Sequence, residues 1–255
     1  MGLVDAHCHF DFPVYDGHRD SILAESSTLG VTRIVLPGVR RCDWDRVVAT
    51  ALAHGQLYYC LGVHPWYVDE HQPEALDDLA ERLSGKPERC VGLGECGLDR
   101  LHGVLERQYP WFEAQVELAR DQGWPLVIHS VKTHDQVAAV LKACRFSGSA
   151  LVHGFSGSYQ QAKKLVDLGC KIGVGGVITH KRAHKTRATM ARLPLEALIL
   201  ETDAPDMAPA GVEKGQNSPQ YLPYIFRVLA ELRSESAKQL ELALEANVSA
   251  LYGWR

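Results

Sequence analysis

The chain has 255 residues, 46% of them hydrophobic and 23% charged, with a formal net charge of −4. That balance excludes a disordered or fibrous chain and a tight, broadly basic nucleic-acid binder, but leaves room for an enzyme that must release its polymer. Seven cysteines, an odd number with no CxxC pair, point to a reducing, cytoplasmic location; the start lacks a cationic segment followed by an apolar one, and no run approaches the ~18 apolar residues that span a bilayer.

Short, β-rich apolar runs recur along the chain. In order they are LVDAH (3–7), RIVLPG (33–38), YYCLGV (58–63), CVGLGE (90–95), PLVIH (125–129), ALVHG (150–154), KIGVGG (171–176) and ALILETD (197–203). Helical periodicity separates them. Phe112, Val116 and Ala119 mark one face ahead of the fifth run, and Ala162, Leu165 and Val166 another, with Ser158 placed to cap its start and Gly169 to stop it. Beyond the eighth run, YLPYIFRVLAELR and SAKQLELALEANVSALYG read as two terminal helices. Strands alternating with helices pair in parallel, and eight such units predict an α/β fold of the (β/α)8 (TIM) barrel type, one domain over 1–255. GxxxxGK[ST] is absent, and the GxGxxG match GLGECG (92–97) begins inside the fourth apolar run rather than in a turn after a strand, so the usual nucleotide-cradling turns of an open doubly wound sheet are missing.

Polar residues interrupt the C-terminal ends of these runs: His7 and His9, His64, Glu95, His129, His153 and Asp203. In a barrel those ends converge on one mouth, where active sites are built. A single buried histidine is more often a satisfied core residue than a ligand. Five histidines and two carboxylates at equivalent ends read differently, because burying them together without a cation is costly. Alternation puts His7 and His9 on one face of their strand, with Cys8 and Cys96 facing the helices as core packing. The set is nitrogen and oxygen, which admits zinc, manganese, iron or magnesium. One Glu between two histidine sets suits a bridge between two ions about 3.5–4 Å apart, so two divalent metal ions are expected. Asp203 serves as ligand and proton acceptor, and Glu201, two residues earlier, lies one layer deeper, to hold a ligand histidine or act as a buried hydrogen-bond partner. Past the seventh strand, five of the seven residues 181–187 are basic or histidine. Arg182 and Lys185 are candidate phosphate contacts there, or members of a solvated helix face.

The motifs DAHCHF (5–10), GVHPW (62–66), GLGECGLD (92–99), LVIHS (126–130), VHGFSG (152–157) and LILETDAP (198–205) together resemble the TatD-type metal-dependent deoxyribonucleases of the metallo-dependent hydrolase superfamily, and KRAHKTR and NSPQYLP are similar to later motifs of that group. The resemblance covers almost the whole chain in order. It implies hydrolysis of DNA phosphodiesters, often as an exonuclease, by two-metal activation of water with magnesium, manganese or zinc. It further implies a first ion on His7, His9, Glu95 and Asp203, a second on His129, His153 and the shared Glu95, and His64 beside them orienting the scissile phosphate. Glu95, Asp203 and His64 would thus be the catalytic residues. DNA is the expected transient partner, with no membrane and no obligate protein partner. Where many relatives place an arginine soon after the strand-five histidine, this chain has Val131 and Lys132, which changes how phosphate is gripped. Two other functions use the same features: opening of a small cyclic amide, ester or lactone, and a non-catalytic metal-binding scaffold.

Overall fold

The structure, a computed structural model, describes residues 2–254. Eight strands form one sheet in sequence order, every neighbouring pair parallel: β1 Leu3–Asp5, β2 Val31–Pro37, β3 Leu57–Leu61, β4 Cys90–Asp99, β5 Leu126–Val131, β6 Ala150–Val152, β7 Cys170–Val174 and β8 Leu198–Leu200. The Ala6 N–H donates to the Leu200 carbonyl at 3.1 Å, which returns β8 to β1 and closes the (β/α)8 barrel. Around it run α1 Arg19–Thr28, α2 Trp44–Ala53, α3 Glu74–Ser84, α4 Leu105–Gln122, α5 His134–Ala143, α6 Tyr159–Asp167, α7 His184–Arg192 and α8 Leu222–Leu232, followed by α9 Ala237–Tyr252. Ser158 caps α6 in a capping box with Gln161, and Gly169 follows its end with φ 88°, as their positions predict.

All eight predicted strands exist, but most ladders stop short of the predicted mouth residues. His7 and His9 lie beyond β1, His64 beyond β3, His153 beyond β6 and Asp203 beyond β8. There the chain leaves the ladder and turns over the rim. Strand β4 departs the other way and runs four residues further than expected. Its register with β5 slips between Leu93 and Cys96, the mark of a bulge. Gly94 (φ 148°) and Gly97 (φ 140°) permit it: a Cβ on Gly94 would press on the Val127 backbone and one on Gly97 would collide with the His129 carbonyl. The bulge sits at Glu95 and aims that side chain into the mouth.

Two apolar layers hold the barrel. The larger, between sheet and helices, contains Cys8, Cys96, Trp44, Phe112, Val116 and Leu165. The smaller fills the interior with Val4, Ala6, Val35, Cys60, Val91, Val127, Leu151 and Ile199, and α9 adds Val248, Leu251 and Tyr252. Asn247 Nδ2 donates to the carbonyls of Leu195 and Leu198, both at 2.8 Å, so α9 sits where β8 begins, at the foot of the barrel. Among the described residues, no helix is long and apolar enough to cross a membrane.

Candidate metal centre

The seven mouth residues come together. Glu95, 1% exposed, lies at their middle and divides its two oxygens between two sets of imidazoles. Oε2 is 3.2 Å from His7 Nε2 and 3.4 Å from His9 Nε2. Oε1 is 2.7 Å from His153 Nε2, 2.9 Å from His129 Nδ1 and 3.1 Å from His64 Nε2. Asp203 Oδ1 approaches the first set, 3.3 Å from His7 Nε2 and 3.6 Å from His9 Nε2. Three ligand groups therefore overlap, His7–His9–Glu95, His7–His153–Asp203 and His64–Glu95–His129, each with its donor atoms within 4.8 Å of one another. His64 stands at the same range as the other imidazoles, and His153 spans both sets.

The donor atoms fit cations better than they fit each other. His7 Nε2 and Glu95 Oε2 are buried and 3.2 Å apart, yet neither has a hydrogen bond; His7 Nδ1, His9 Nδ1 and His153 Nδ1 are orphaned as well. Buried polar atoms without partners are costly, and lone pairs that point at a shared space are satisfied together by a divalent ion. Protonation divides the imidazoles. Burial pushes His9 and His64 down to about 4 and lowers His153, which leaves them neutral and able to donate a lone pair, whereas His7, against burial, is raised well above the ordinary imidazole range by Glu95 and Asp203. Burial alone would raise the Glu95 carboxyl, but the surrounding His153, His64 and His7 hold it well below the usual carboxylate range. Asp203 is likewise lowered against the effect of burial, by His7 and His153.

Local backbone explains how Asp203 gets there. The residue has φ 56°, in the left-handed region that Asp tolerates, and its N–H donates to the His7 carbonyl at 2.8 Å. Asn217 Nδ2 clamps the loop on both sides, donating to the Thr202 carbonyl (2.8 Å) and the Asp206 carbonyl (2.6 Å). Asn217 belongs to the NSPQYLP stretch, whose role is therefore to hold the strand-eight loop.

Glu201 lies one layer deeper, fully buried. Its Oε1 accepts from the Gly154 N–H at 2.6 Å, Oε2 has no partner, and no hydrogen bond reaches a ligand histidine. Burial pushes its carboxyl up to about 8. Gly173 leaves the space it fills, since a Cβ there would overlap the carboxylate.

Two residues outside the seven complete the arrangement. Asp99 Oδ2 pairs with His129 Nε2 at 3.0 Å, fixing that ring with Nδ1 toward Glu95, and the same oxygen accepts from Trp66 Nε1 at 2.7 Å. Those bonds hold the Asp99 carboxyl down to about 2 against burial, while burial, opposed by Asp99 and Glu95, leaves His129 raised to about 9. Asp99 could have been found by alternation, because Glu95, Gly97 and Asp99 share one strand face.

A cavity of about 400 Å³ opens over the cluster, lined by His9, His64, Glu95, His129, His153 and Asp203 and walled by Phe12, Trp66, Tyr67 and Met207. Neither Arg182 nor Lys185 lines it. Arg182 is exposed in an adjoining hollow with His180 and Lys214, which shares Met207 with the first cavity; Lys185, also exposed, acts on His134 together with Lys132.

Comparison with known proteins places this geometry. Residues 4–253 match the family described as TatD related DNase. The chain is 42% identical to an uncharacterised metal-dependent hydrolase, YjjV of Escherichia coli K12, over 98% of this chain and 97% of that protein. The crystal structure of that TatD homologue superposes with a TM-score of 0.94, covering 98% of each chain. A protein of Klebsiella pneumoniae named 3'-5' ssDNA/RNA exonuclease TatD is 32% identical over 92% of both chains. A barrel whose rim gathers five imidazoles and two carboxylates, matched end to end in this way, belongs to the TatD-related DNase family and is a metal-dependent hydrolase.

Proposed function

We propose that the chain is a two-metal deoxyribonuclease that cleaves DNA phosphodiester bonds as an exonuclease in the cytoplasm. The observation that carries the reading is the division of Glu95: each of its oxygens faces its own imidazole set, at 2.7–3.1 Å on one side and 3.2–3.4 Å on the other. His7, His9, Asp203 and Glu95 would hold one divalent ion, magnesium, manganese or zinc; His129, His153 and the same Glu95 would hold the second. Ions so held supply charge stabilisation for a phosphoryl group and make water a competent nucleophile near neutral pH. Asp203 accepts the proton that water gives up as the new O–P bond forms. His64, at the cavity wall, orients the phosphate, and the P–O bond to the leaving nucleotide breaks opposite the attacking oxygen. Glu95 sets the separation of the two imidazole sets. Asp99 holds His129, and Glu201 supports the strand-six turn through Gly154. Arg182 and Lys185 would meet phosphates beyond the cavity, as single contacts along an emerging strand.

A second reading, hydrolysis of a small cyclic amide, ester or lactone, is favoured by one observation: the cavity is compact and neither candidate phosphate contact lines it. End-labelled single- and double-stranded DNA, assayed beside a panel of lactones and cyclic amides with added manganese, separates the two. Ladders of shortened DNA that vanish with chelator are expected; turnover confined to the small molecules would overturn the nuclease reading. A scaffold role predicts metal content without turnover of either panel.

A further inference from the structure

Trp66 is 42% exposed, at the edge of a cavity whose imidazoles and whose Glu95 and Asp203 carboxylates are buried. An indole of that size left open to water calls for an account. It is rigidly held. Its Nε1 donates to Asp99 Oδ2 at 2.7 Å, and Asp99 is itself tied down by His129 and by the Leu101 N–H, which donates to Oδ1 at 2.7 Å. His102 stacks on the indole with centroids 4.6 Å apart and planes 24° from parallel; Trp66 lines the cavity and His102 does not. The His64 and His129 rings lie nearly perpendicular to the indole, at 88° and 75°, with centroids 5.1 Å and 6.1 Å away. Around this wall Leu101 and Val104 are 72% and 49% exposed. Two exposed cations follow residues that border it, Arg100 after Asp99 and Lys132 after Val131, and Arg100 Nε donates to the Lys132 carbonyl at 3.3 Å.

We propose that Trp66 is a stacking platform for an unpaired nucleobase, that of the nucleotide whose phosphate lies over Glu95, with His102 backing the indole and Arg100 and Lys132 following the strand. The proposal rests on the nuclease reading above. A pre-held aromatic plane beside cations is how proteins grip single strands without reading sequence, because every base has a π-face and the ordering cost falls on the ligand alone. It also suits a cavity without Arg182 or Lys185: affinity comes from the base, and the centre meets the phosphate.

The test compares an oligothymidylate with the same chain carrying an abasic sugar at each terminus, both cleaved by the manganese-loaded protein. Wild type should prefer the intact chain by roughly 5- to 150-fold in kcat/KM, the usual worth of one stacked base, carried mainly by KM. Trp66→Ala should bring the intact chain down to the abasic level and abolish the preference. Trp66→Phe keeps a ring but loses the N–H to Asp99, so it should retain the preference whatever it does to kcat. Wild type that cleaves both chains alike, or Trp66→Ala that still distinguishes them, overturns the platform and leaves the nuclease reading standing. Wild type that cleaves neither chain overturns both.

Discussion

The two ends of the barrel are built on opposite terms. At the foot, small and apolar side chains fill the interior and α9 seats Val248, Leu251 and Tyr252 against them, with Tyr252 Oη donating to the Ala6 carbonyl at 3.1 Å. At the mouth, five imidazoles and two carboxylates are buried together with several of their polar atoms unpartnered. The mouth itself divides again. On the Oε1 side of Glu95, His129 and His153 are hydrogen-bonded to it and His129 is pinned from behind by Asp99. On the Oε2 side, His7 Nε2 sits near its neighbours with no hydrogen bond at all. One half is organised by hydrogen bonds within the protein, and the other keeps polar atoms that no protein group satisfies. The foot is where this fold gains stability; the mouth is where it gives stability up for chemistry.

Substitutions should separate these regions by size of effect. The largest belongs to Glu95, which serves both halves: Glu95→Gln should lower kcat by at least about 10³-fold, with Asp203→Asn close behind, while far-ultraviolet circular dichroism stays native. Parent-like hydrolysis by either would show that the centre lies elsewhere. Asp99→Asn should cost about 10- to 100-fold in metal affinity or activity, since it frees the ring of His129 without removing a ligand. Titrating manganese into the apoprotein by calorimetry reads that loss directly, and unchanged affinity would mean the pinning is ornamental. At the foot the pattern reverses. Leu251→Ala should destabilise by about 2–5 kcal/mol in urea melts and leave metal stoichiometry intact. The smallest effect concerns His134, at the mouth but outside the cluster, which burial beside Lys185 and Lys132 pushes down to about 4. An unfolded histidine titrates near 6.5, so the unfolded chain binds more protons between those values and stability falls as pH drops from about 6.5 toward 4. His134→Gln should shallow that acid slope in thermal melts; an unaltered slope would assign it to other buried imidazoles.

Much of this was legible in the sequence, for physical reasons. Parallel strands covered on both faces must be continuous apolar runs, so all eight announced themselves, and a polar residue ending such a run is conspicuous. The convergence of His7, His9, His64, Glu95, His129, His153 and Asp203 followed from the rule that strand ends meet at one rim. What escaped was set by close approach. The fourth run is expected to end at Glu95, whereas Gly94 and Gly97, placed where β5 leaves no room for a Cβ, let the strand go on to Asp99. Glu201 was readable as buried, but not that its bond goes to a backbone N–H. Arg182 and Lys185 lie on a loop and an exposed helix start, where charge pattern says little about which cavity a side chain meets.

The seating of α9 has a consequence for how the molecule comes into being. Its anchor points are the carbonyls of Ala6, just past the first strand, and of Leu195 and Leu198, before and at the start of the last. A ribosome delivers His7 and His9 before any later strand, yet Asp203 and the helix that stoppers the base arrive only after all eight strands have been made. On the proposed ligand set, the early histidines precede Asp203 by nearly two hundred residues, so the site is complete only once translation has passed the eighth strand.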